Sequence, residues 1–298
     1  ADLAAVAARA SQAVYPAVDA ATTPDVVILY DPADWQGGLL AAPLLRPLNA
    51  VLLPATGGAD DEISRLAPRG SSVLGGAAVA GVNGATLPGG AATAQDIRAE
   101  DVATLLSDAG APPRHAILVP DDPAIALLAA PWAARSGDLV VFDAAAAPAG
   151  VPLYALGDVQ AQGATPIASG DPASVAVAFA TYEDPENPLF GWGFNADSLT
   201  GYRSYTLARP DDPAMALLSA NLTVRGKPGP LLWSEERRLP QPVNNYFWSQ
   251  RAAWWVTPSE GPFHHFYVLG DTDTISFPAQ GQADYAVEIG PYLGKGAG

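Results

Sequence analysis

Short apolar runs alternate with polar breaks along this chain, and they recur in a fixed order. Val26-Val-Ile-Leu-Tyr30, Ala116-Ile-Leu-Val119 and Tyr205-Thr-Leu-Ala208 open three similar stretches. Runs this short, rich in branched residues and bounded by Pro or Asp, predict buried strands. A second phrase follows each: Asp34-Trp-Gln-Gly-Gly-Leu-Leu-Ala-Ala-Pro43, Asp122-Pro-Ala-Ile-Ala-Leu-Leu-Ala-Ala-Pro131 and Asp212-Pro-Ala-Met-Ala-Leu-Leu-Ser-Ala-Asn221. Asp34, Asp122 and Asp212 are placed to cap helices by accepting bonds from first-turn N–H groups. Pro123 and Pro213 then take the first helical position, where a missing N–H costs nothing.

Further apolar runs come next: Ala50-Val-Leu-Leu53, Leu139-Val-Val-Phe142 and Pro230-Leu-Leu-Trp233. A third set ends in a repeated phrase, Val73-Leu-Gly75-Gly76, Ala155-Leu-Gly157-Asp158 and Val268-Leu-Gly270-Asp271. Glycine there permits positive φ or a close backbone approach. Helices are also predicted over 4–14, 60–66, 96–107 and 169–180, the last capped by Asp171. A recurrence every ~90 residues means one unit used three times. Strand, helix, strand, helix, strand at this spacing predicts an α/β fold: three small parallel-sheet αβ modules arranged with pseudo-threefold symmetry. The modules are expected at 1–110 (with an N-terminal helix), 111–200 and 201–298.

Composition narrows the function. Among 298 residues, 49% are hydrophobic and 15% charged, which fits compact modules with tight turns. The net charge of −16, from 31 acidic against 15 basic side chains, repels phosphate backbones, so no nucleic-acid partner is expected. There is no cysteine, which excludes disulfides, zinc–thiolate sites and thiol catalysis. No apolar run reaches the ~18 residues of a membrane span. The opening Ala1-Asp-Leu-Ala-Ala, without Met or a leader, reads either as a mature form after signal-peptide removal or as a trimmed chain.

These phrases resemble the cell-wall-binding repeat family of type 2, found in tandem triplets on Gram-positive surface-layer proteins. The likeness rests on Asp34, Asp122 and Asp212 at the helix starts, on Val51-Leu-Leu-Pro54, and on Leu74-Gly-Gly76 with Val79. Pro166-Ile-Ala-Ser-Gly-Asp171, with Ala176 and Ala178, is similar to the family's Arg-Ile-Ala-Gly-x-Asp-Arg segment, with Pro166 and Pro172 in the places of its arginines. The resemblance implies a non-catalytic protein of the cell surface, outside the cell. Its partners would be an anionic envelope polymer held in grooves between modules, or the protein subunits of a surface assembly. The rival readings are a scaffold subunit of a surface layer, filament or envelope complex, and an extracellular carbohydrate-active enzyme.

The third module departs from the pattern by an insertion near 234–265. Tyr246, Trp248, Arg251, Trp254, Trp255, His264 and Phe266 fall in or beside it. Aromatic platforms with neighbouring amides suit a protein partner or a sugar ring, and equally suit a small core of the insertion's own. Gly191-Trp-Gly-Phe-Asn-Ala196 formally matches a dinucleotide fingerprint, but no strand is predicted before it. His115 reads as a satisfied structural residue, and adjacent His264 and His265 diverge in an extended segment. Asp60-Asp-Glu62 and the Asp271/Asp273 pair lack the ligand count of a calcium loop. No metal, cofactor or catalytic residue is expected. Asn221-Leu-Thr223 is a formal glycosylation sequon.

Overall fold

The computed structural model describes residues 1–56, 59–66, 72–75, 95–196, 203–251, 253–254, 263–288 and 290–291. Strands form on the apolar runs. Val26–Tyr30 lies between Ala50–Pro54 and Ser72–Gly75. Ala116–Leu118 lies between Leu139–Val141 and Leu153–Leu156. Ser204–Ala208 lies between Leu231–Trp233 and His265–Val268. All pairs are parallel and the order, second–first–third, is the same each time. The fold is α/β, built on small all-parallel sheets. A fourth parallel strand, unmarked by any apolar run, extends two of them: Gln95–Asp96 in the first sheet and Thr165–Ala168 in the second. Among the described residues the third sheet has no fourth strand.

The three aspartates start helices as their positions predict. Asp34 accepts from Gly37 N–H (3.1 Å), Asp122 from Ala124 N–H (2.9 Å) and Asp212 from Met215 N–H (3.1 Å). The helices they cap are Trp35–Ala41, Pro123–Ala126 and Pro213–Leu217. The second resumes as Ala129–Ser136 and ends on Gly137, whose φ of 78° is the left-handed stop that glycine supplies. The third passes through a tight turn into Asn221–Val224.

These helices meet pairwise and close a triangle. Trp35–Ala41 touches Pro213–Leu217, the turn 42–44 after it touches Ala129–Ser136, and Ala129–Ser136 touches Asn221–Val224. Each seam is held by an aromatic side chain. Tyr30 donates its hydroxyl to Ala214 O (2.8 Å) and Trp233 its indole N–H to Ala124 O (2.8 Å). Both carbonyls lie two residues past the capping aspartate, so the same position is used in successive modules. At the remaining seam Trp35 and Phe142 meet edge to face, 5.8 Å apart. Burial pushes the Tyr30 phenol well above its ordinary pKa, so it stays a donor. Asn221, fully buried, closes the edge of the first sheet by accepting from Leu52 N–H (2.8 Å) and donating to Leu52 O (2.7 Å). Its burial removes the sequon from the surface.

Two further helices bridge the modules alike. Leu3–Val14 packs on strand 50–54, helix Ala59–Leu66 and helix 213–217. Pro172–Thr181 packs on strand 231–233, helix Gln241–Ser249 and helix 123–126. The N-terminal helix therefore does for the first module what 172–181 does for the third. Helix 241–249 is the counterpart of 59–66, which explains why much of the insertion is interior.

On the second module a loop does this work. Phe190 stacks on Tyr154 at 3.5 Å, and Trp132 meets Phe190 and Trp192 edge to face. Gly191 has φ 107°, and a Cβ there would sit 2.3 Å from Tyr182 O. Gly191 of the apparent dinucleotide motif is thus demanded by backbone packing at a helix end.

Candidate functional site

In sheets of this order, ligands commonly bind at the carboxyl ends of the strands, between first and third. Here that crevice is filled by the chain itself. At Gly157 (φ 91°) a Cβ would lie 2.6 Å from Ile125 Cγ2 and 3.2 Å from Pro120. At Gly270 (φ 134°) it would lie 2.8 Å from the Thr274 side chain. The recurring Leu-Gly phrase is a packing device. Gly75 ends the strand 72–75, and Gly76 lies outside the described residues. Asp158 stands exposed in the turn after 153–156. Asp271 accepts from the Thr274 hydroxyl (2.8 Å) and the N–H groups of Thr274 (2.9 Å) and Asp273 (3.2 Å). The Thr274 bonds, first of all, hold its carboxyl down at about 2. In the other acidic cluster Glu62 takes a two-pronged contact from Arg65 (2.8 and 2.6 Å).

The aromatic residues of the insertion separate into two groups. Tyr246 (5% exposed) and Arg251 (6% exposed) are turned inward. Tyr246 donates to Phe194 O (3.0 Å) and packs edge to face on Tyr205. Arg251 donates to Glu288 O (2.7 Å) and lies 5.3 Å from the Trp248 ring. Phe266 is half-buried against Tyr205 and Phe247. His264 and His265 do diverge. His264 sits between Arg203 N–H and Gln250 O, and His265 against the Tyr267 ring. Among the described residues Trp248 stays at the surface, 36% exposed and edge-on to Tyr285, and Phe263 of the same insertion is 58% exposed. Trp254 lies in the two-residue strand 253–254, its side chain outside the described set, and Trp255 is wholly outside it.

His115 is the one histidine in a carboxylate network. Its Nδ1 lies 3.0 Å from Asp138 Oδ1 and its Nε2 2.6 Å from Asn187 Nδ2. Asp138 also accepts from Trp132 Nε1 (2.8 Å), while Asn187 reaches Tyr154, which donates to Asp184 (2.6 Å). Both ring nitrogens are engaged inside the fold, and the residue ties the loop 184–194 to the second sheet.

The seam between the first and second modules has a different character. Arg46 is exposed and donates to Arg135 O (3.1 Å), and the Arg135 guanidinium lies 5.4 Å over the Trp192 ring. Neither arginine has an ion pair among the described residues. Burial, and then the charge of Arg46, lower the pKa of Arg135. Two like charges near each other, with no ion pair among the described residues, are an arrangement that can attract an anion. Sequence reasoning passes over this pair because the residues stand 89 positions apart and neither lies in a motif.

No protein-family model matches this sequence, and no curated protein matches it. Among solved structures the fold is similar to that of two cell wall proteins of Clostridium difficile. Cwp8 superposes with a TM-score of 0.63 at 14% identity, over 96% of this chain and 50% of Cwp8. Cwp6 does so with a TM-score of 0.63 at 13% identity, over 95% of this chain and 46% of Cwp6. The chain thus spans about half the length of these neighbours. No described helix is long and apolar enough to cross a membrane. The fold of the chain is similar to that of these two cell wall proteins.

Proposed function

We propose that this chain is a non-catalytic cell-surface protein of the wall-binding-repeat kind, attaching to the envelope through its three modules. The observation that carries this reading is the length of the fold match, which takes in all three sheets and their closed triangle. The ligand class follows from the seam chemistry. Arg46 and Arg135 offer two cationic forks, which suits an anionic polysaccharide that pairs its charges with arginine, while the buried Trp192 ring backs the Arg135 guanidinium.

Binding of purified anionic wall polymer, measured against a neutral wall glycan over a salt series, tests the reading. The anionic polymer should bind with an affinity that falls as salt rises. Arg46→Glu should weaken it about tenfold or more, the loss of one to two charge-assisted bonds. The melting temperature should hold, because Arg46 is exposed. Equal affinity for both polymers, or no effect of Arg46→Glu, removes the seam as the site.

A second reading, a scaffold subunit of a surface layer, filament or envelope complex, is favoured by the use made of the other arginines. Arg65 and Arg225 are spent on the chain's own carbonyl and side-chain oxygens, and Arg203 on Asn195 O. With a net charge of −16, few cations are left for a polymer. Self-association or a protein partner, without polymer binding, selects this reading.

A further inference from the structure

The outer strands of the sheets are covered in different ways, and strand 265–268, at the end of the third sheet, has no strand on its outer side among the described residues. Asn221 covers the edge of strand 50–54. The second sheet ends in 165–168, where Pro166 has no N–H to offer a further strand. Strand His265–Val268 has neither device. His265 N–H bonds Arg203 O (2.8 Å) and Leu269 N–H bonds Leu207 O (2.9 Å), so odd-numbered residues face the neighbouring strand. By alternation the N–H and C=O groups of Phe266 and Val268 point to the free edge. The sequence His-Phe-Tyr-Val is strongly strand-forming and holds no proline, lysine or acid that would deter pairing. All four residues are half-exposed, whereas three of the four in strand 153–156 are buried.

The repetition within the fold identifies what belongs there. Helix 172–181 touches helix 123–126, strand 231–233, helix 241–249 and the fourth strand 165–168. Helix 3–14 repeats the first three contacts with 213–217, 50–54 and 59–66, and among the described residues no fourth strand lies beside it. The two helices also start alike, Asp2 accepting from Ala4 N–H (3.0 Å) and Asp171 from Ala173 N–H (3.1 Å). Where the missing strand would lie is a cleft of about 170 Å³ between helix 3–14 and the end of strand 265–268. Val6, Arg9, Ala10, Ala13, Tyr267 and Val268 line it. Val6 is only half-buried there, while Val175, equally far from its capping aspartate, is fully buried.

We propose that this edge and cleft accept an extended peptide strand from a partner polypeptide, added parallel to 265–268 in the place that fourth strands hold in the first two modules. A second copy is a poor donor. Its described strands are all paired within their own sheets, and two such edges meeting across a twofold axis would run antiparallel, against the parallel template. The incoming strand needs an apolar residue against helix 3–14, as Ile167 packs in the second module, and an acid beside Arg9. This site is separate from the arginine seam, and its test does not depend on polymer binding.

Amide hydrogen exchange on the intact chain, with and without a probe peptide, tests the proposal. The probe has the sequence of residues 162–170, the second module's own fourth strand; in its control, Ile167 and Ala168 are replaced by Pro. In the free chain, Phe266 and Val268 should exchange about tenfold or more faster than the buried strand 153–156. Millimolar probe should slow both about tenfold and leave 153–156 unchanged, and the control should do nothing. A probe extended by Asp should lose affinity for Arg9→Glu, and one extended by Lys should gain it. The proposal is overturned by protection in the free chain equal to that of 153–156, by no slowing at millimolar probe, or by slowing with the proline control. Protection that grows with protein concentration alone would also overturn it, by giving the edge to a second copy.

Discussion

His264 shows how a single half-buried ring ties the third module to pH. The main-chain N–H of Arg203 can only donate, and it reaches Nδ1 (3.3 Å); the carbonyl of Gln250 can only accept, and it lies 2.8 Å from Nε2. These partners define a neutral ring protonated at Nε2. Burial, above all, lowers its pKa below the ordinary 6.5, and the Arg203 charge adds to the effect. The unfolded chain therefore binds a proton near pH 6.5 that the folded chain takes only at lower pH. Stability is complete above about 6.5 and declines as pH falls through the interval below it. The melting temperature should drop between pH 7 and 5, ahead of carboxylate titration, and His264→Gln should make that slope shallower. His265, whose pKa burial also lowers, acts in the same direction. An unchanged slope in the variant would take the effect away from His264.

At the scale of elements, the helix starts carry measurable energy. Asp122→Ala removes the bond to Ala124 N–H and should lower stability by about 1 kcal/mol, read as a shift in the denaturation midpoint. An unshifted midpoint would mean that water replaces the cap at no cost. These helices, and the nine strands that carry the three sheet centres, are legible in the sequence because capping and burial are local signals. The fourth strands are not. Gln95–Asp96 is two polar residues long, and Thr165–Ala168 contains a proline, so only the adjoining third strand makes them strands. The insertion misleads for another reason. Its aromatic content resembles a binding surface, yet Val243, Tyr246 and Phe247 recur at the i, i+3, i+4 spacing of a buried helix face. That periodicity was the available signal. Arg46 and Arg135 offer none, because the triangle brings them together.

The whole molecule is one cooperative unit, because each module completes its interior with parts of its neighbours. The buried side chains of all three sheets form a single cluster. At the first–third seam the fit leaves no slack: a Cβ on Gly38 would lie 2.3 Å from Leu217 Cδ2 and 3.1 Å from Tyr30 Cβ, all inside a fully buried contact. Calorimetry should therefore give one transition with a van't Hoff to calorimetric enthalpy ratio near one, although the chain is well above the ~150 residues within which two-state unfolding is usual. Gly38→Ala puts a methyl into the seam. Alanine favours a helix over glycine by about 1 kcal/mol, whereas overpacking of this kind costs about 1–3 kcal/mol. Both Leu217 and Tyr30 would have to move, so the overpacking cost outweighs the helix gain and the variant should melt lower. Because the seam belongs to two modules, it should move the whole endotherm down without splitting it. A first-module transition separating from an unmoved remainder would show that the modules fold independently and that the triangle only docks finished parts.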